Sequence, residues 1–188
     1  MIYPPSFPVV DGQDYKTNPE KIVYDLLKPL SSKYDIFYSQ KFRAESVDER
    51  TDYEIDFVMI KPQEAILIVE VKGGLIEYNG SEKTWYQNHN KMKKPTTDQV
   101  ISCVSSLLKR YPDVAKKLPV NWTVCFPQCE LLNENSLPTN VNREVIIDQR
   151  DLLTIDKKIE SLFKSTKQEF YFKKGQSRFE YNRFKQQL

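Results

Sequence analysis

The sequence predicts an α/β domain in which a mixed β-sheet is flanked by helices, and three observations carry that expectation. First, the stretch Ala65–Val71 (AILIVEV) is apolar almost throughout, the mark of a central strand covered on both faces. Second, two segments place apolar residues at helical spacing: Ile22, Val23, Leu26, Leu27 and Leu30 in one, and Val100, Ile101, Val104, Leu107, Leu108 and Tyr111 in the other. Third, the order of segments runs helix, three-stranded meander, hairpin, helix and two further strands, which calls for one sheet with helices packed against it.

Each element has a local reason. The first helix is expected at about 18–30, with Asn18 able to cap it, Pro19 at the first helical position and Glu20 in the first turn. Asp35–Arg43 alternates loosely and reads as a strand. Glu54–Ile60 and Ala65–Lys72 read as stronger ones, joined across Lys61–Glu64 with Pro62 closely enough for a hairpin. Gly73 and Gly74 end that run. Leu75–Tyr78 and Thr84–Gln87 flank the turn pair Asn79–Gly80 and predict a second hairpin. After the polar stretch Asn88–Lys94, a helix opens at Pro95 and Thr96 or Thr97 and runs to about Arg110. Strands near Val120–Phe126 and Glu144–Ile147 and a helix near Ile155–Phe163 complete the pattern.

Composition narrows the class. A chain of 188 residues with 39% hydrophobic and 12% aromatic content can bury a core and is not a disordered polymer. No apolar run reaches the ~18 residues of a membrane span, so no membrane association is expected, and MIYPPSFPVVDGQDY lacks the basic start and apolar stretch of a secretory signal. Three cysteines without a repeating spacing argue against a disulfide framework and for a reducing, cytoplasmic setting. The net charge of +2 is unevenly spread: residues 157–188 carry nine Lys/Arg against three Asp/Glu, leaving 19 against 23 for residues 1–156. A basic tail beside an acidic body predicts contact with a polyanion or a connection to another domain.

The chemistry-bearing feature is where charge interrupts the apolar strands. Alternation places Asp56 on the face of Glu54, Val58 and Ile60, and Glu70 and Lys72, two apart, on one face of the next strand. Antiparallel pairing would bring Asp56 opposite Glu70 and Lys72. Charges on central strands cost several kcal/mol per ion (about that order) unless they are paired or bind a metal. Structural ion pairs are one outlet. The other is a Mg²⁺ or Mn²⁺ site, since both ions favour oxygen ligands, here Asp56, Glu70 and the Val71 backbone carbonyl, with Glu20 completing the set and Lys72 assisting the attacking water. Mutually consistent positions on two successive strands favour the second.

These residues resemble the NERD (nuclease-related domain) branch of the PD-(D/E)XK nuclease superfamily. The likeness lies in EIDFVMI (Glu54–Ile60), AILIVEVKGG (Ala65–Gly74), Trp85 and KKPTTDQVISCVSSLLKR (Lys93–Arg110), and spans roughly residues 18–150. The resemblance implies a restriction-endonuclease-like fold and metal-dependent hydrolysis of DNA. It also implies Asp56 and Glu70 as metal ligands, Lys72 as the catalytic lysine, Glu20 as the acidic residue of the first helix, and Gln99 as a glutamine near the catalytic centre. Ile55 stands before Asp56 where the superfamily name has proline, as is usual in this branch. The resemblance further implies a place at the start of a longer protein, commonly a helicase, in the same polypeptide or as a separate partner. On this reading residues 1–155 form the nuclease-related domain and 156–188 a basic aromatic extension or linker. A non-catalytic nucleic-acid-binding or helicase-associated module of the same fold is the alternative.

Other candidates are weaker. Lys91, Lys93 and Lys94 suit phosphate contacts or a solvated loop equally well. In the tail, Phe170, Tyr171, Phe172, Phe179, Tyr181 and Phe184 alternate with Lys173, Lys174, Arg178 and Arg183. Such interleaving grips single strands by stacking and charge, or docks on a neighbouring domain. His89 has no ligand spacing to Cys125 or Cys129, which leaves no zinc site. Cys103 reads as a small buried hydrophobe.

Overall fold

The structure, a computed structural model, describes residues 1–9, 17–43, 52–131, 137–170 and 185–186. Its main sheet has six strands: β1 (Ile2–Tyr3), β2 (Asp35–Arg43), β3 (Asp52–Lys61), β4 (Ala65–Val71), β8 (Val120–Phe126) and β9 (Ile146–Asp148), neighbours in that order. The β2–β3–β4 meander is antiparallel, whereas β1 joins β2, β8 joins β4 and β9 joins β8 in parallel. A separate antiparallel sheet of β5 (Ile76–Asn79), β6 (Thr84–Gln87) and β7 (Asn90–Lys91) follows β4. The helices are α1 (Pro19–Leu27), α2 (Thr96–Arg110), α3 (Pro112–Lys117) and α4 (Ile155–Phe170).

β4 explains the architecture. All seven of its residues are buried, so the strand needs an apolar layer on each side. Ile66 and Ile68 face one layer with Val58, Ile60, Val124 and Phe126, closed by Val100, Cys103 and Leu107 of α2. Leu67, Val69 and Val71 face the other with Phe57, Met59 and Cys125, closed by Val23, Tyr24 and Leu27 of α1 and by Ile155, Ile159, Leu162 and Phe163 of α4. The expected mixed sheet between helices is what forms.

Several boundaries move for local reasons. α1 starts as expected, with the Asn18 side chain accepting from the Lys21 N–H at 2.9 Å, but ends at Leu27 because Pro29 forces a 3-10 turn over Lys28–Ser32. α2 buries Thr96, Thr97, Val100, Cys103 and Leu107, and Ile101 is 41% exposed. Its inner line is therefore 96, 100, 103 and 107, with Val104 and Tyr111 packed beside it, so the expected stripe holds except at Ile101. Pro112 then restarts the chain as α3, a helix the periodicity does not announce. The last helix runs on to Phe170, and its apolar side belongs to the core. Residues 156–166, set apart by charge as the start of an extension, thus pack against the sheet. Among the described residues, no helix is long and apolar enough to cross a membrane.

Candidate active site

The site lies where the β3–β4 ladder stops. Pairing runs from Lys61↔Ala65 to Phe57↔Val69, and one residue further Asp56 takes over with its side chain: Oδ2 accepts the Val71 N–H at 2.7 Å. On the other side of β3, Tyr38↔Phe57 and Gln40↔Ile55 are paired, and Ser39 between them has a left-handed backbone, φ 52°. Ile55 packs in the same layer as Val58 and Ile60, so the simple alternation expected along 54–60 breaks next to Asp56. The kink frees a carboxylate at a point where a regular strand would have spent only backbone groups.

Glu70 is 1% exposed. Its Oε1 accepts from Lys72 Nζ at 2.8 Å, which is the shared face expected for residues two apart on a strand. Its Oε2 is buried without a hydrogen-bond partner. A carboxylate oxygen left so costs about 1–3 kcal/mol or more. Burial pushes the Glu70 carboxyl up, while the Lys72 ammonium pulls it down less strongly. Burial, then the nearby Glu70 charge, push Asp56 up to about 8, with the Val71 N–H and Lys72 opposing and Glu20 adding to the rise. Two carboxyl groups in one desolvated spot cannot both ionise without a compensating cation.

The surrounding residues come from both helical layers. Glu20 sits in the first turn of α1, where its Oε2 accepts from the Tyr38 hydroxyl at 2.5 Å. Burial, Glu20 and Asp56 all push that hydroxyl upward, so Tyr38 stands beside both acids. From α2, the Cys103 thiol donates to the Glu54 carbonyl at 3.4 Å, which sets this helix against β3 beside Asp56, and burial, then Glu70 and Asp56, push that thiol up to about 11. Gln99, half-buried in the first turn of α2, lies one turn before Cys103. Lys91, Lys93 and Lys94 are exposed on the stretch leading into α2, with Lys94 Nζ donating to Ser102 Oγ at 3.0 Å. Lys173, Lys174 and Arg178 lie outside the described residues.

What the sequence reading missed is the belt that holds the exit of β4. Gly74 has φ +81°, and Asn88, Gln87 and Gln128 bond the backbone around it: Asn88 Oδ1 accepts from Leu75 N–H at 2.9 Å, Gln87 Nε2 donates to the Gly73 carbonyl at 2.8 Å, and Gln128 Oε1 accepts from Gly74 N–H at 2.7 Å. The consecutive glycines were the only signal; polar residues in distant loops carry no periodicity.

Among the described residues, no group of three or more His, Cys, Asp or Glu is placed to hold a metal ion. The donor set to test is therefore two carboxylates and a carbonyl. The N–H and C=O of one strand residue leave on the same edge, so the Val71 carbonyl faces β3, like its N–H. Hard oxygen donors, one of them orphaned and buried, fit Mg²⁺ or Mn²⁺.

Fold and site together define a class: an α/β domain whose central strands open onto a buried acid–acid–lysine centre. The chain belongs to the NERD (nuclease-related domain) family, whose model matches residues 16–127, and this is consistent with the PD-(D/E)XK superfamily. Membership makes the function nuclease-related. No curated protein matches the chain. Among solved structures, protein VC1899 from Vibrio cholerae is similar over 78% of this chain and 32% of that one, with 12% identity and a TM-score of 0.42. The chain thus spans about a third of the length of that protein.

Proposed function

We propose that this domain is a Mg²⁺- or Mn²⁺-dependent phosphodiesterase that hydrolyses DNA. The observation that carries the reading is the Glu70 carboxylate, buried with one oxygen unpartnered beside the second carboxyl group of Asp56. An acid pair so placed lowers its energy by taking up a proton or a cation. Asp56, Glu70 and the Val71 carbonyl would hold the ion. When bound, it would supply positive charge against the negative charge that develops on the phosphate oxygens. Lys72, 21% exposed at the rim, places an ammonium where it can orient the attacking water toward phosphorus. Glu20, held by Tyr38, would complete the shell of the ion directly or through water, and Gln99 would orient substrate from the α2 layer. Lys91, Lys93 and Lys94 would hold flanking phosphates, and Lys173, Lys174 and Arg178 would add phosphate contacts of their own.

The test is cleavage of DNA by the purified chain with Mn²⁺, with and without chelator, beside Asp56→Ala, Glu70→Ala and Lys72→Ala. Cleavage lost on chelation and in all three folded variants is the expected result. Folded protein that binds no divalent cation, or variants as active as wild type, would sink the reading. A second reading, a non-catalytic nucleic-acid-binding or helicase-associated module, draws on Lys72 already neutralising Glu70 and on the lack of a three-acid group among the described residues. DNA affinity independent of Mn²⁺, without cleavage, would favour it. In either case the setting we infer is cytoplasmic, with a helicase in the same polypeptide or as a separate partner.

A further inference from the structure

Three segments meet at one side chain that neither the acid pattern nor the family match contains. Gln128 follows β8, one residue beyond the matched stretch 16–127. Its Oε1 accepts the Gly74 N–H at 2.7 Å, and its Nε2 donates to the Thr17 carbonyl. The partners fix the orientation of the amide, since a backbone N–H requires the oxygen and a backbone carbonyl requires the nitrogen. One carboxamide therefore ties the turn after Lys72 to the residues that lead into α1, three positions before Glu20.

The fit beneath it is close. A Cβ on Gly73 would stand 2.7 Å from Pro19 Cγ and 2.8 Å from Gln128 Oε1. The Pro19 ring cannot swing aside, because its Cγ is fixed to the backbone at both ends. Helix α1 thus rests its first residue on a bare glycine, and the next residue is Glu20. On the opposite side, Tyr38 holds the Glu20 carboxylate. The acid is located from the front by its side-chain bond and from behind by the seat of its helix.

We propose that Gln128 is a positioning residue. By clamping Thr17 to Gly74, it sets the first turn of α1 against the exit of β4, and so sets Glu20 relative to Asp56, Glu70 and Lys72. The inference rests on the nuclease reading above, because it gives Glu20 a task at the cation. Groups that hold a ligand-bearing element in place commonly affect metal affinity by ~10-fold or more.

The experiment is calorimetric titration of Mn²⁺ into the full chain, for wild type, Gln128→Ala and Gln128→Glu, each with Glu20 intact and in a Glu20→Ala background. Thermal melts accompany each variant to establish that it is folded. Gln128→Glu keeps an acceptor for Gly74 and loses the donor for Thr17. We expect both variants to weaken Mn²⁺ binding roughly tenfold when Glu20 is present, and to add almost nothing once Glu20 is gone, because the two changes act through one carboxylate. Gly73→Ala, whose methyl group would crowd both Pro19 and the Gln128 amide oxygen, should give the same pattern by disturbing the same seat. Unchanged affinity in the Gln128 variants overturns the proposal. So does an equal loss in both backgrounds, which would mean a general loosening of the fold. A wild-type chain that binds no Mn²⁺ overturns the nuclease reading itself, whereas normal wild-type binding with indifferent Gln128 variants overturns this inference alone.

Discussion

At the scale of single residues, the centre trades stability for charge. Glu70 lies in a place that water does not reach, and among the described residues its ion-pair partner is Lys72. Lys72→Ala should therefore destabilise the protein by about 3 kcal/mol, the cost of leaving a buried charge without its partner. Glu70→Gln should do the reverse. It removes the buried charge, keeps the volume, and leaves Lys72 able to reach solvent, so denaturant unfolding should show a protein at least as stable as wild type that no longer binds Mn²⁺. A Glu70→Gln variant clearly less stable than wild type would mean that the carboxylate is a structural ion-pair member. Asp56 adds a pH dependence of definite sign. Its folded carboxyl stays protonated up to about 8, against an ordinary value of 3.8, so the folded state binds the extra proton across that window. Stability without metal should then fall as pH rises from about 4 to about 8. Divalent cation should oppose the fall, most strongly at the alkaline end. Thermal melts across this range should show the slope in wild type and a flatter profile in Asp56→Asn, and a metal-free stability that climbs through the same range would contradict the shared burial of the two acids.

At the scale of elements, the strands were legible and the helices only in part. β4 announces itself because a strand buried on both faces is apolar almost throughout, β3 through its apolar run Phe57–Ile60, and the register follows once the two are joined by Lys61–Glu64. The pairing of Asp56 with the end of β4 was readable for that reason. The break in alternation at Ile55 was not, since it depends on Ser39 of a neighbouring strand adopting a left-handed backbone. α2 was placed correctly along the chain, with Val100, Leu107 and Cys103 buried as expected, but one edge of its stripe faces out. Ile101 looks like core and is exposed, while Thr96, small and polar in sequence, lines the inner side. This difference has a measurable consequence. Leu107→Ala should cost about 2–5 kcal/mol, as for a fully buried leucine, and Ile101→Ala should stay within about 0.5 kcal/mol. Equal losses at the two positions would put Ile101 on the buried side that periodicity alone suggests. Gln128, Tyr38 and Asn88 were invisible for a different reason: each is a lone polar residue whose partner lies far along the chain.

At the scale of the whole molecule, charge separates body from tail, but packing does not respect that division. The first turns of α4 lie in the basic segment, yet Ile159, Leu162 and Phe163 complete the layer opposite α2, and Glu160 is bonded by the Tyr34 hydroxyl at 2.6 Å. One exposed basic run on the described surface that a polyanion could meet is the lysine stretch before α2. Lys91, Lys93 and Lys94 are all exposed there, and the helix they lead into packs on β3 and β4, the strands that carry the acid pair. A duplex bound across that stretch would release counterions, so the logarithm of its affinity should fall linearly with the logarithm of salt, by a slope of about 0.9 per phosphate neutralised. Changing all three lysines to alanine should lower the slope by about three if each meets a phosphate, since each such contact accounts for roughly one unit. Fluorescence anisotropy with a DNA duplex in Ca²⁺, over a salt series, reads this directly without turnover complicating the signal. The metal should leave that slope difference untouched, because these cations act on the backbone away from the acid pair. A triple variant with the wild-type slope would assign the three lysines to solvent and move the electrostatic track elsewhere on the molecule.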